Sequence, residues 1–319
     1  MIAKLEKIYR LSADRGVAVM LSAVWRLAVA TLQRMLGQRY LTRRIHSYRM
    51  TIDTEDAGIS RSLLLFRTRE VDHKVMLEKI ARPGMRIFDI GGNIGYYPLM
   101  ELALLKGTGA LIAVEPSPSN VALLKKNLRL NGYENVPVIE AAVSGKPGKR
   151  TFYVSEQSNL GTFHPDGSAA KTLTGGSIEV ETTTVPLLVE KYGKPDLMRM
   201  DVEGHEVEIL DGMLEGAKQG GYAPAIIFET HLSRYGPGND MARTLRNLFD
   251  FGYTVSLVSS SSDNGAEKIS KLGYLPGERV RTDDVYRTLF ADLRADDAIE
   301  LICRSGGVRT VVLSPPSQH

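Results

Sequence analysis

Arg86-Ile87-Phe88-Asp89-Ile90-Gly91-Gly92-Asn93-Ile94-Gly95-Tyr96-Tyr97-Pro98 reads as a strand, a glycine-rich turn and the first turn of a helix. The glycines permit a tight turn and let a ligand approach the backbone. Pro98 lacks an N–H and is tolerated only near a helix start, so the helix begins around Gly95. Leu99, Leu102 and Leu105 then fall on one face.

Outward from this turn the same unit repeats. Ala110 to Val114 forms a second strand; Ser117 caps the next helix with Pro118 at its first position, and Gly132 ends it after the stripe Val121, Leu124, Leu128. Val136 to Ile139 is a third strand, entering a loop at Glu140-Ala141-Ala142-Val143. Asp196 to Asp201 is a fourth, followed by Gly204 and a helix over Val207 to Leu210, and Ala225 to Glu229 is a fifth, ending at Thr230-His231. A helix near Ala242 to Phe251, a strand near Tyr253 to Val258 and a last strand near Ile299 to Cys303 complete the pattern. Between the third and fourth strands, residues 150–185 predict a hairpin with a mobile tip bordering the active site. Alternating strands and helices predict an α/β doubly wound, mostly parallel, seven-stranded sheet over residues 71–319.

Composition is that of an ordinary globular protein, 43% hydrophobic and 24% charged, and excludes a fibrous or mainly disordered chain. Cys303 is the only cysteine, which excludes an intramolecular disulfide or a cysteine-rich zinc site and fits a reducing, cytoplasmic setting. Lacking any local signature of a nucleophile, it reads as a small core residue.

The turn's spacing decides between ligands. A dinucleotide fingerprint is Gly-x-Gly-x-x-Gly over a pyrophosphate; here the spacing is Gly-Gly-x-x-Gly with Asp89 before it. S-adenosyl-L-methionine carries no phosphate, but it has an ammonium that a carboxylate such as Asp89 suits and a carboxylate that free backbone amides suit. Glu115, at the end of the second strand, can accept hydrogen bonds from ribose hydroxyls, a device a nicotinamide cofactor would share. The residues therefore favour the methyl donor, with an NAD(P)-dependent oxidoreductase or a non-catalytic nucleoside-binding protein as alternatives.

Phe88 to Tyr97, Val114-Glu115-Pro116, Glu140-Ala141-Ala142-Val143-Ser144 and Met200-Asp201-Val202-Glu203-Gly204-His205-Glu206, in that order, resemble the FkbM-type methyltransferases across roughly residues 70–258. The resemblance implies a class I, Rossmann-like methyltransferase fold with the donor held by Asp89, Gly91, Asn93, Gly95, Glu115 and Pro116, and with Glu140 and Ala141 near the adenine. It also implies O-methylation, the acceptor being a hydroxyl of a small molecule or glycan. Arg199 stands where the family pattern has Lys, and Pro98 replaces a more ordinary helix residue.

Asp201, Glu229 and His231 are expected at the carboxyl ends of neighbouring central strands, where open α/β sheets bind ligands. A hydroxyl becomes a better nucleophile when a base removes its proton or a cation lowers its pKa. His231 or Asp201 could act as the base; Asp201 and Glu229 could instead hold Mg²⁺ or another divalent cation; proximity alone is the third reading. Glu203 belongs with Asp201 to the acidic group Asp201-Val202-Glu203 at that strand end, its alternative reading being a cap of the following helix; His205 reads as a surface or capping residue, while His164 and Asp166 fall in the hairpin without a role.

Residues 1–50 hold ten Lys/Arg and two Asp/Glu, a net of +8 that leaves −5 for the rest of the chain. Segment 1–70 is expected to be a basic, mainly helical arm or cap. The apolar run Gly16 to Leu32 contains Arg26 and is short for a membrane span of about 20 residues. The start carrying Glu6 and Asp14 does not suit a secretory signal. Arg34, Arg39, Arg43 and Arg44 beside Leu27, Met35 and Leu41 predict an amphipathic helix. It would pack on the catalytic domain or on a second subunit in a homo-oligomer, or make peripheral contact with a membrane; few aromatics disfavour nucleic acid.

Overall fold

In the computed structural model, which describes residues 17–155, 157–164 and 173–316, the predicted strand–turn–helix is β3 (Arg86–Ile90) leading into α4 (Tyr96–Leu105). Gly95 occupies the N-cap with φ +97°, and Leu99, Leu102 and Leu105 are all buried. The repeat continues through β4 (Ala110–Glu115), α5 (Pro118–Leu130) and β5 (Val138–Glu140). Pro118 opens α5 as expected, but Ser117 makes no capping bond; its Oγ pairs with Ser119 Oγ at 3.0 Å.

After β6 (Ala142–Val143) comes the predicted hairpin, β7 (Gly148–Ser155) with β8 (Leu173–Thr183), in a small sheet of order β6-β8-β7. Then follow α6 (Val185–Tyr192), β9 (Leu197–Met200), α7 (Glu206–Gly220), β10 (Ala225–Glu229), α8 (Met241–Asp250) and β11 (Thr254–Ser260). The chain finishes through α9 (Asp263–Lys271), β12 (Arg279–Thr282), β13 (Val285–Leu293), α10 (Ala295–Cys303) and β14 (Val308–Ser314). Glu6, Asp14 and Asp166 lie outside the described residues.

The main sheet has nine strands among the described residues, in the order β12-β13-β11-β14-β10-β9-β3-β4-β5. β5, β4, β3, β9 and β10 pair in parallel, and β14 inserts antiparallel between β10 and β11. The expected seven strands are therefore extended by the hairpin β12-β13 on the β11 edge. Ile299 to Cys303 is helix α10, not a strand: Ala298, Ile299, Leu301 and Ile302 bury one helical face, behind Asp296 and Asp297 in the first turn. A short apolar run suits either element until packing chooses.

The segment before residue 70 also departs from expectation. Only part is helical: α1 (Val17–Met35) and α2 (Ile59–Phe66) flank an antiparallel hairpin, β1 (Tyr40–Ile45) and β2 (Tyr48–Asp53). Leu41, Arg43 and Arg44 are thus strand residues, and the amphipathic helix over 27–44 stops at Met35. Leu41, Ile45, Tyr48, Met50 and Ile52 turn inward at the two-residue spacing of a half-buried strand. Asn127 of α5 fixes the hairpin, accepting from Thr51 N at 2.6 Å and donating to Thr51 O at 3.1 Å. Ile45, Met50, Ile52 and Leu63 share one core with Ile87, Leu99 and Leu111, so residues 40–66 are a cap folded onto the sheet. Helix α3 (Val71–Ile80) ties this cap to the far edge, where buried Asp72 accepts from Arg287 at 3.0 Å and from Ser259 at 2.7 Å.

Candidate active site

The carboxyl ends of β3, β4 and β9 open on one cleft, lined by residues of the glycine turn, of the β4 end and of the β9 end. Its floor is the predicted glycine turn. Gly91 has φ +84°, and a Cβ there would come within 2.2 Å of the Asp201 carbonyl oxygen, so only glycine lets the turn pass this close to the end of β9. Gly91 and Gly92 both donate their N–H to Val114 O, at 2.8 and 3.1 Å. Gly95 packs against Leu124 beneath α4 and does not line the cleft.

Glu115 lies in the cleft wall, held by three donors: Asn93 N at 2.9 Å, Ser117 N at 3.0 Å and Asn120 Nδ2 at 3.1 Å. Burial pushes its carboxyl up to about 7 against those hydrogen bonds. Pro116 and Ala141 also line the cleft, whereas Glu140 is exposed and outside its lining. The carboxylate, the open glycine turn and the apolar wall of Ala141 and Ala142 fit a nucleoside with free ribose hydroxyls.

Asp89, expected to serve the ammonium directly or through water, is placed behind the cleft lining. It is fully buried and absent from the cleft lining, and Arg199 Nη1 sits 3.0 Å from its Oδ1. The guanidinium also donates to Gly91 O at 3.1 Å and to Asp201 Oδ2 at 3.2 Å, and lies 3.9 Å over the Tyr97 ring. Asp89 has no open path to an ammonium; it anchors the arginine that lines the cleft.

Asp201 and Glu203 face the cleft together, while His231 and Glu229 stand outside its lining. His231 Nδ1 is 2.9 Å from Glu206 Oε1, and Nε2 is 3.5 Å from Glu203 Oε2 and 3.8 Å from Glu229 Oε1. Burial disfavours the His231 cation, yet Glu206, Glu203 and Asp201 outweigh it and raise the imidazole to about 9. His231 stands behind the cleft wall, between Glu206 and Glu203, and not in the cleft where a base was expected. Burial lifts Glu203 to about 7, His231 opposing the rise and Asp201 and Glu206 adding to it.

Glu203 is no helix cap. It has φ +49°, and the N-cap of α7 is His205. His205 is buried, with Nε2 3.2 Å from Ser144 Oγ, and is not on the surface. Glu70, Asn93 and Glu203, three of the non-glycine residues with positive φ, all line the cleft; such conformations cost about 1–3 kcal/mol each and cluster at functional sites. Glu70 has no sequence signal, lying at the margin of the resemblance, whereas Glu203 stands where the acidic group Asp201-Val202-Glu203 was expected, beyond the end of β9.

Asp201, Glu203 and His231, and likewise Glu70, Asp201 and Glu229, bring ligand atoms within 4.8 Å of one another. Neither set fits a divalent cation. Arg199 already pairs with Asp201, Arg69 with Glu70 at 2.9 Å and Arg309 with Glu229, and His231 lies against Glu206 at 2.9 Å.

Across the cleft runs segment 157–164. Ser158 O accepts from Asn93 Nδ2 at 2.9 Å and Asn120 Nδ2 at 3.0 Å, and Ser158 N and Oγ donate to Asp56, both at 2.9 Å. Thr162 Oγ1 donates to Glu203 O at 3.1 Å, and Phe163 packs on His205. His164 lies at the end of this segment, its carbonyl accepting from Arg234 at 3.1 Å.

The family pattern described as Methyltransferase FkbM domain matches residues 89–255, just over half of the chain. Hexuronic acid methyltransferase AglP of Haloferax volcanii is 30% identical over 148 residues, 46% of this chain and 55% of that protein. The 31-O-demethyl-FK506 methyltransferase FkbM of Streptomyces tacrolimicus is 30% identical over 164 residues, 41% of this chain and 60% of that protein. The aligned parts thus span little more than half of either relative. Among solved structures, Methyltransferase FkbM from Methylobacillus flagellatus KT aligns at 14% identity and TM-score 0.35, covering 74% of this chain and 56% of that one.

Proposed function

We propose that the chain, which belongs to the FkbM methyltransferase family, is an S-adenosylmethionine-dependent methyltransferase that methylates a hydroxyl of a glycan or small molecule. The observation that carries the acceptor chemistry is the pair of carboxylates, Asp201 and Glu203, facing the cleft beside the glycine turn. The relatives whose printed names specify a hexuronic acid and a 31-O-demethyl compound support a hydroxylated acceptor.

When bound, S-adenosylmethionine supplies an electrophilic methyl on sulfur. Glu115 accepts from the ribose hydroxyls, Gly91 and Asn93 allow close approach, and Ala141 walls the adenine. At the other end Glu203 accepts the proton that the acceptor hydroxyl loses as its oxygen bonds to carbon; a group that titrates near 7 is suited to that work. Asp201, held by Arg199, orients the hydroxyl. His231, fixed by Glu206, positions Glu203 from behind without touching substrate. Segment 157–164 helps exclude water from the cleft.

The test is S-adenosylhomocysteine formation from the donor across hydroxylated sugars and small molecules, with calorimetry against S-adenosylhomocysteine and NAD. Turnover on a hydroxyl with no NAD binding is expected. Donor binding with transfer only to nitrogen, or with no transfer to any member of the panel, would count against the proposal.

A further inference from the structure

Helix α1 is built inside out for a core helix. Its buried positions are the small residues Ala23 and Ala30, in contact with the α2 side of the cap, while Leu21, Val24, Trp25, Leu32, Met35 and Leu36 are exposed. Counted from Leu21, these fall at i, i+3, i+4, i+11, i+14 and i+15, a single stripe along the helix. Trp25 is 71% and Met35 79% exposed. A contiguous apolar face of this kind marks an interaction surface.

Arginine dominates the charge of this segment, although Arg39 pairs with Asp53 at 2.7 Å and with Glu55 at 3.2 Å. Residues 15–52 contain seven arginines and no Asp or Glu, and Arg34, Arg44, Arg61 and Arg67 are exposed on the same N-terminal cap. No described helix is long and apolar enough to cross a membrane. An exposed stripe of Leu, Met and Trp flanked by arginine matches a helix lying in the headgroup region, its side chains entering the acyl boundary while the cations meet anionic lipid. A symmetric contact with a second copy would bring two arginine-rich caps together, which like-charge repulsion opposes.

We infer that α1 seats the protein on an anionic bilayer surface through Leu21, Val24, Trp25, Leu32, Met35 and Leu36. The cleft then lies one helix from that surface, because α2, which packs on α1, begins with Ile59 in the cleft wall. This inference is independent of the chemistry in the cleft.

Trp25 is the only tryptophan, so intrinsic emission reports this face alone. The full chain is mixed with vesicles of phosphatidylcholine, or of phosphatidylcholine with phosphatidylglycerol. Expected are a blue shift and co-sedimentation with the anionic vesicles, weakened by salt, and a loss of at least ~tenfold in partitioning for the Leu21→Glu, Leu32→Glu double variant. Both positions are exposed, and unchanged S-adenosylhomocysteine affinity of the variant confirms that it is folded. Three outcomes would overturn the inference: no binding to either vesicle, equal salt-independent binding to both, or a lipid-free, concentration-dependent doubling of mass that shifts the emission and is abolished by the same substitutions.

Discussion

Asp89 and Arg199 are directly opposite one another on the parallel strands β3 and β9, with the guanidinium 3.0 Å from the carboxylate and both side chains buried. The same arginine reaches Asp201 at 3.2 Å, so one cation joins the strand before the glycine turn to the acidic group that faces the cleft. Truncating one member of a buried pair strands the other charge. Arg199→Met should therefore lower stability by about 3–5 kcal/mol in chemical denaturation. Arg199→Lys should keep the Asp89 pair and lose the fork to Asp201, with a smaller loss of about 1 kcal/mol. A parental midpoint for Arg199→Met would show that the pair is not structural.

Glu115 should control donor binding. Glu115→Ala is expected to weaken S-adenosylhomocysteine at least tenfold, about 1.4 kcal/mol, by calorimetry. Because the ionised carboxylate is the better acceptor and titrates near 7, affinity should rise with pH through that value in the parent and not in Glu115→Gln. Asp89→Asn, whose side chain does not reach the cleft, should lower the melting temperature before it lowers donor affinity.

The acidic pair should separate kinetically. Glu203→Gln is expected to reduce kcat by ~10²–10⁴ with donor affinity preserved, and Asp201→Asn to act mainly on acceptor KM. In the parent, kcat/KM should rise as Glu203 ionises near 7 and fall as His231 loses its proton near 9. His231→Gln should abolish the alkaline limb while the acid limb remains. A pH profile unchanged by Glu203→Gln would exclude Glu203 as the base.

His231 also makes a stability prediction. Its pKa is raised on folding from 6.5 to about 9, so the native state binds the proton more tightly than the unfolded chain. The stabilisation is full below about 6.5 and is lost as pH rises through about 9, and amounts to roughly 3 kcal/mol. Denaturation of the parent and His231→Gln across this range should give curves that differ most at the acid end and converge above it.

Asp56 bonds to Ser158 N and Oγ, and it also accepts from Gly58 N and Ser60 N at the start of α2. Asp56→Ala should cost about 1–2 kcal/mol and release segment 157–164. Faster amide exchange at Ser158 and faster donor dissociation are expected; unchanged exchange there would mean that Asn93 and Asn120 hold the segment unaided.

The parts of the fold legible in the chain were those with local punctuation. The turn at Gly91 to Gly95 and the Pro118 helix start have chemical causes within a few residues. The β1-β2 hairpin was missed although its inward residues alternate, because its turn at His46-Ser47 carries no Asn-Gly or Asp-Gly signal; His46 nevertheless takes φ +50°. The strands β12 and β13 lie beyond the matched region, and the apolar run at Ile299 had no marker to separate helix from strand. At the site, Gly91, Asn93, Glu115, Pro116, Ala141 and Asp201 were all brought into one cleft wall.

By itself, the sequence determined the parallel repeat, the position of the glycine turn and the carboxylate at the end of the next strand, since strand period, helix punctuation and backbone freedom act over short distances. Tertiary structure alone decided which acids face the cleft. It put Arg199 on Asp89, set His231 between Glu206 and Glu203, and left Glu203 in the cleft. Those outcomes depend on burial and on charges up to 110 residues apart in the chain, and Coulomb interactions follow distance in space, not order along the chain.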